Sequence, residues 1–530
     1  MGDSAKDTPS QTGKRIRAKH TRSSLGCGVC RIRRVKCDLM RPLCQRCSST
    51  GRSCDGYPSG TRAVSRAGRV EPHIMTSDSS LTLLAPRKML SDPALVLDQR
   101  GHRSLHYFQH RASREFSGYF DNDFWSCLVL QIGHRESCVR QLIVALGTLH
   151  ESFQTGDDTP GNSEADSLRN QSISEYTKGV RLLNDHIFNR GWAALDVTLA
   201  SSVLCIIFEW LRGAYSAAHT HLRSSLSILS QWHTNGASLP NCTSFWSPGG
   251  HMIRTKLEPV YTTMVLQART MPSFPAVPLR LATQTRNEME PFSTLKEARD
   301  MLYSLLAYLL PEILSHSNAA ATLENQEDRN LGRLLAQWSI NFTEYLARNP
   351  TADNPSDNPG VEVLKLWHIG GHMLFANRHS QTETAHDRFH AEFDLIVAGA
   401  ERLLLHSSSS SAASYTSSCF SVDIGVVPLL YFVAVKCRHP QTRRRAVALL
   451  EASPRRREAV WDSVGAARLA REIVAIEEEG LGDVRGYRDV PGWARVRRMR
   501  AEIDLENRSV RMRAGRQGEE GWSHEKLLTW

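Results

Sequence analysis

Six of the chain's twelve cysteines fall between Cys27 and Cys54, and their spacing is a repeat, Cys27-x2-Cys30-x6-Cys37 followed six residues later by Cys44-x2-Cys47-x6-Cys54. The other six (Cys127, Cys138, Cys205, Cys242, Cys419 and Cys437) are scattered singly. A C-x2-C pair folds a tight turn that aims two thiolates at one metal, and a turn or two of helix delivers the third sulfur from six residues on. Structural zinc takes four tetrahedral ligands, so two ions need eight ligand positions. Six sulfurs fill eight positions only if two of them bridge, and the symmetry of the repeat points to the first cysteine of each half, Cys27 and Cys44. The spacing therefore predicts a small metal-stabilised unit holding two Zn²⁺ ions. A disulfide framework would need an oxidising compartment, and nothing in the sequence directs secretion. A mononuclear site would leave two thiols unused, and a copper-thiolate cluster is the remaining alternative on ligand softness.

Charge is concentrated in the same region. Residues 1–70 carry sixteen Lys and Arg against four Asp, a net of +12, which leaves −2 on the other 460 residues of a chain whose total is +10. So dense a positive field on so small a segment points to a polyanionic partner. Within the first half of the repeat, Cys30 to Cys37 enclose Arg31, Ile32, Arg33, Arg34, Val35 and Lys36, four of them cationic. The equivalent stretch of the second half, Ser48 to Ser53, carries Arg52 as its one cation. Arginine pairs with guanine O6 and N7 through two hydrogen bonds in the major groove, so the first half is expected to read double-stranded DNA. The second half is expected to brace it against phosphates. Arg46, between Cys44 and Cys47, joins Arg52 in that group.

The run GCGVCRIRRVKCDLMRPLCQRCSSTGRSCDGY, Gly26 to Tyr57, resembles the DNA-binding module of the fungal binuclear zinc cluster transcription factors along its whole length. The resemblance implies that Pro42 makes a tight, usually cis, turn joining the halves. It also implies that Arg33 and Arg34 occupy the base-reading positions, with Arg31 and Lys36 near phosphates, and that CGG triplets are the sites read. A nuclear regulator of transcription by RNA polymerase II follows as an expectation. Its partners would be DNA, the transcription machinery, and a second copy or a different chain in a dimer. Many members carry a dimerising coiled coil just after the cluster; no a/d heptad runs for three repeats here. Upstream, Lys14 to Arg22 (KRIRAKHTR) fits a nuclear import signal, an arm along the DNA backbone or an ordinary basic tail.

The rest of the chain reads as helix. Residues 1–25 form a basic arm, 26–57 the cluster and 58–92 a linker rich in turn residues. From 93 to 530, apolar residues recur at helical spacing, as in Leu142, Ile143, Leu146 and Leu149, or Leu222, Leu226 and Leu229. Further amphipathic runs lie near 166–190, 196–211, 252–268, 295–315, 329–347, 361–377, 387–406, 423–437, 441–452, 463–479 and 494–514, with breaks at 234–250, 348–360 and 406–418. The expected fold class is a small metal-stabilised binuclear zinc cluster followed by a large all-α domain. Arg103 to Trp125, Val139 to Glu151 and Glu209 to Leu229 resemble, more loosely, the helical regulatory domain of the same family.

Readings from other classes are weaker. The densest apolar stretch, Val203 to Leu211, is too short to span a bilayer, so no membrane partner is expected. Phosphate-loop, dinucleotide, nucleophile-elbow and zinc-protease motifs are absent, and no enzyme is expected. Histidines at helical spacing (His102, His106 and His110; His368 and His372) could hold a metal, but exposed or capped histidines are the commoner outcome. Trp125, Trp210 and Trp232 are expected as core anchors.

Overall fold

The computed structural model describes residues 27, 29–30, 33, 35–40, 44–51 and 54 of the cysteine-rich segment. Beyond it the structure describes 97–120, 122–156, 162–238, 247–271, 289–314, 326–350, 358–409, 419–452, 455–504 and 508–529. The basic arm, the linker at 58–92, Pro42, Arg31, Arg34 and Arg52 lie outside the described residues. The chain divides into two compact units, Met1–Lys88 and Met89–Trp530.

In the first unit each C-x2-C pair starts a short helical turn. The Arg33 amide donates to the Val29 carbonyl and the Val35 amide to that of Cys30, both at 3.1 Å. The second half repeats this as helix α1 (Gln45–Ser48), followed by a turn that closes at Gly51 with φ +64°. What these turns enclose is sulfur: Cys27, Cys30, Cys37, Cys44 and Cys47 are buried, with Val29 and Cys54 packed beside them. So small an enclosed surface contributes too little to hold a fold by apolar burial alone.

The second unit is built the opposite way, around one large apolar core. Helix α2 (Gln99–Tyr107) starts where the Asp98 carboxylate accepts from the Gly101 amide at 2.7 Å, and it runs on through a π-helical turn, Phe108–Ala112. It crosses α3 (Ser137–Gly156) closely at Gly147, where a Cβ would lie 2.5 Å from the Ser104 carbonyl oxygen. Next come α4 (Ser163–Arg190), capped by the Asn162 side chain, and α5 (Leu195–Arg212), apolar on nearly every face and buried accordingly. Gly213, with φ +89°, takes the left-handed conformation that ends α5. Helices α6 (Tyr215–Ser238), α7 (Glu258–Thr270), α8 (Leu295–Leu314), α9 (Gln326–Arg348), α10 (Pro359–Asn377) and α11 (His390–Ser409) continue the array. Trp125, Trp210 and Trp232 are buried in the core, as expected of anchors.

Strand β1 (Cys419–Ser421), α12 (Val427–Lys436), α13 (Pro440–Glu451), β2 (Arg456–Glu458), β3 (Trp461–Asp462) and α14 (Ser463–Glu478) complete the core. Strand β2 pairs in parallel with β1 and antiparallel with β3. It carries two buried charges that serve two helix ends. The Arg457 guanidinium donates to the carbonyls of Leu211 and Trp210 at the C-terminus of α5, at 3.0 and 2.8 Å. The Glu458 carboxylate accepts from the amides of Val426 and Val427 at the start of α12, at 3.1 and 2.9 Å. A cation at a helix C-terminus and an anion at an N-terminus match the two ends of the helix dipole. A second buried seam centres on Glu477 of α14, whose carboxylate accepts from Arg438 and Arg443, each at 2.6 Å, and from the Val496 amide at 2.8 Å.

Helix dominates this unit, in agreement with the expected class, but the run read as helical at 494–514 is a β-hairpin. Strand β4 (Val496–Asp504) pairs antiparallel with β5 (Ser509–Arg516), and β5 with β6 (His524–Thr529). The cause is a two-residue alternation that helical spacing obscured. Met499, Ala501 and Ile503, with Val510, Met512 and Ala514, turn to the core, while Arg498, Arg500 and Glu502, with Arg511 and Arg513, alternate with them. The helix α11 also runs past the break placed at 406, to Ser409. Among the described residues no helix is long and apolar enough to cross a membrane.

Candidate metal centre and nucleic-acid interface

The two cysteine triplets meet sulfur to sulfur. Cys27 Sγ lies 3.6 Å from Cys44 Sγ and 3.8 Å from Cys47 Sγ, and Cys30 Sγ lies 3.7 Å from Cys44 Sγ and 3.9 Å from Cys47 Sγ. A tetrahedron of sulfurs around zinc at about 2.3 Å has edges of about 3.8 Å, which the Cys27–Cys44, Cys27–Cys47 and Cys30–Cys44 separations match, while Cys30–Cys47 runs from one set of ligands to the other. The sulfurs fall into two sets of four, Cys27, Cys30, Cys37 and Cys44, and Cys27, Cys44, Cys47 and Cys54, each gathered within 4.8 Å. Cys27 and Cys44 belong to both sets. The local folding that produces this is the same in each half: the Cys27 sulfur accepts from the Cys30 amide at 3.5 Å and the Cys44 sulfur from the Cys47 amide at 3.3 Å.

The donor set fits soft divalent zinc. Burial first, and then the neighbouring thiols Cys27, Cys44, Cys47 and Cys37, push the Cys30 thiol well above its ordinary range. Cys44 is raised too, by burial and by Cys47. Thiols packed this closely ionise together only against compensating positive charge, which a coordinated dication supplies.

Around this centre the described cations face outward. Arg33, Lys36 and Arg46 are exposed. Arg33 stands on the first turn and Arg46 on α1, so both halves contribute cations.

Two residues of this unit were not singled out from sequence. Asp38, directly after the third cysteine, accepts from the Met40 and Gln45 amides through Oδ1 at 3.0 and 3.2 Å, and from the Arg46 amide through Oδ2 at 2.7 Å. It thereby ties the first half to the opening of α1, and these amides, Met40 foremost, hold its carboxyl below the usual range. The N-cap of α1 is Cys44, six residues further on, so no local capping signal in the sequence marks Asp38 as the partner of these amides. Thr50 is the other: its hydroxyl lies 2.9 Å from the Arg46 carbonyl and 3.1 Å from that of Cys47, and Arg33 Nη1 donates to it at 3.4 Å.

The histidine sets form no comparable centre. Among the described residues, only the two cysteine sets bring three or more metal-capable side chains within reach of one another. His102, His106 and His110 are exposed, with the last two rings 4.2 Å apart. His368 stacks on Trp338 at 5.0 Å, and burial lowers its pKa, while His372 is exposed.

Comparison with known proteins agrees with this geometry. Residues 25–63 match the model of the fungal Zn(2)-Cys(6) binuclear cluster domain, and residues 103–257 that of the fungal specific transcription factor domain. The chain is 25% identical to the aspercryptin biosynthesis cluster-specific transcription regulator of Emericella nidulans, over 89% of this chain and 90% of that protein. It is 27% identical to a transcription regulator of Purpureocillium lilacinum over 38% of this chain and 48% of the other. A transcriptional regulatory protein of Schizosaccharomyces pombe is 24% identical over 30% of this chain and 31% of its own length. No solved structure matches the chain at a significant level. The cysteine cluster is a binuclear centre for two zinc ions.

Proposed function

We propose that this chain, which belongs to the fungal Zn(2)-Cys(6) transcription regulators, recognises CGG-type triplets through the cationic turn between its second and third cluster cysteines. The observation that carries the reading is the pair of four-sulfur sets sharing Cys27 and Cys44, with Arg33 exposed on the turn that joins Cys30 to Cys37. In this reading Cys27, Cys30, Cys37 and Cys44 would hold one ion and Cys27, Cys44, Cys47 and Cys54 the other.

Zinc bound to these sulfurs would supply the cohesion that the module's small enclosed surface lacks. The protein's own side chains then divide the work. Lys36, Arg46, Arg31 and Arg52 neutralise phosphates and supply the salt-sensitive part of affinity. Arg33 and Arg34 donate to guanine edges and choose the sequence. The unit from residue 93 onward is the regulatory domain, and the chain acts in the nucleus on genes read by RNA polymerase II. Pairing with a second copy or another regulator sets how many triplets a site carries and how they are spaced.

Selection of duplexes from a random pool by the zinc-loaded full-length chain tests this. Enrichment of CGG triplets supports it; a selected motif without a guanine-bearing triplet, or no selection at all, overturns it. The spacing between enriched triplets reports single or paired binding.

A further inference from the structure

The two halves of the cluster carry unequal charge, and the structure gives the poorer half a task that charge alone does not. Thr50 stands in the turn just after α1, in the second half, beside Gly51 with its φ of +64°. Its hydroxyl lies within hydrogen-bond reach of two carbonyls of that helix, Arg46 at 2.9 Å and Cys47 at 3.1 Å. A threonine hydroxyl has one proton to donate and two lone pairs. Donation to the helix carbonyls fixes the hydroxyl and leaves a lone pair for Arg33 Nη1, which approaches from the first half at 3.4 Å. The platform is itself held in place. Asp38, from the first half, accepts from the Gln45 and Arg46 amides at 3.2 and 2.7 Å, so the start of α1 cannot turn without breaking those bonds.

We infer that Thr50 is a positioning residue for DNA reading: it holds the Arg33 guanidinium in the orientation in which it meets a base edge, and so sets specificity without touching DNA. The inference rests on Arg33 being a reader, and it deepens that assignment. The physical reason is entropic and geometric. A free arginine has many rotamers, and a two-hydrogen-bond contact to guanine demands one of them. A neutral hydroxyl touching one nitrogen of the guanidinium restricts the side chain while leaving its other N–H groups to donate. An acidic partner in the same place would hold Arg33 more tightly and compete with guanine for it.

The test uses full-length, zinc-loaded protein and the duplex that the wild-type chain selects from a random pool, with companion duplexes in which each base pair of the enriched triplet is changed in turn. Thr50→Val keeps the shape and removes the hydroxyl. The expected result is a loss of about three- to tenfold in discrimination at the base pair read by Arg33, with bound zinc and the salt dependence of binding unchanged. Thr50→Ser should restore discrimination. In an Arg33→Ala background, Thr50→Val should add no further loss at that base pair, because the two changes act on one contact.

The inference is overturned if Thr50→Val leaves discrimination intact while Arg33→Ala relaxes it, or if the two losses simply add. A loss of zinc in Thr50→Val that Thr50→Ser does not repair also overturns it, in favour of a purely structural role. If Arg33→Ala itself changes nothing, the reading assignment fails, and the positioning role with it.

Discussion

The cysteine module and the helical unit solve the same problem with opposite means. In the module, five sulfurs are buried and little carbon surrounds them, so cohesion comes from metal coordination. In the helical unit, Trp125, Trp210, Trp338, Tyr261, Tyr303 and many aliphatic residues are fully enclosed, so cohesion comes from apolar burial, with the buried side chains of Arg457 and Glu458 capping two helix ends. Each unit is therefore fragile in its own way. A perturbation that reaches metal should ruin the first and spare the second; one that opens a cavity should do the reverse.

The largest effect should come from metal removal. A strong chelator should abolish both the fold of residues 26–57 and duplex recognition, with a loss of about 10–16 kcal/mol in the module's apparent folding energy at neutral pH. Circular dichroism should show the helical unit melting as before. Within the cluster, Cys27→Ser or Cys44→Ser should release both ions, because each sulfur belongs to both sets, whereas Cys54→Ser should first weaken one. Native mass spectrometry reads the difference, and equal loss from all three variants would break the shared-sulfur assignment.

The converse change is Trp210→Ala in α5, which should destabilise the helical unit by about 3–5 kcal/mol, read as a lower melting temperature. Bound zinc should stay at two ions per chain. Zinc loss in this variant would mean that the units depend on one another.

Arg33→Ala should cost about 1–3 kcal/mol at a guanine-bearing site and relax selectivity there, without changing either unit's stability. Competition binding with base-substituted duplexes measures it. Full, equally selective binding by both Arg33→Ala and Arg34→Ala would end their assignment as readers.

The gentlest probe is mild acid. In the helical unit burial pushes His386 down to about 3, reinforced by Lys436 and Arg438. Burial alone would raise its neighbour Glu383, but Lys436 and Arg438 bring that carboxyl down to about 2. Both folded pKa values lie below those of the unfolded chain, so the unfolded state takes up the protons first. Their contribution to stability is whole near neutrality, starts to fall as pH drops through about 6.5 for His386 and about 4.5 for Glu383, and is gone near 2. Each group can contribute a slope of at most about 1.4 kcal/mol per pH unit. Urea melts between pH 7 and 4 should show stability declining with acid, and His386→Gln should flatten the upper part of that decline.

Legibility from sequence differed between the units for a physical reason. Ligand spacing is local, so the chain itself displays which cysteines can share a metal, and the structure groups their sulfurs around Cys27 and Cys44. The helices were legible because burial on one face imposes a spacing, as at Leu142, Ile143, Leu146 and Leu149. The final sheet was misread because Met499, Ala501 and Ile503 satisfy a strand alternation inside an arginine-rich run whose wider spacing also suits a helix. Asp38, Thr50, Arg457 and Glu458 were not legible, since their value lies in which backbone groups or side chains the fold brings to them. A capping carboxylate looks like any other aspartate until the helix it serves is in place.

Dependence of DNA reading on the cluster can be measured by zinc titration of metal-free protein, with binding to the selected duplex followed by fluorescence anisotropy. Without metal, no discrimination between the selected and base-substituted duplexes is expected, and full discrimination should appear as the second zinc ion per chain is taken up. Selective binding by protein that holds no zinc would contradict this dependence.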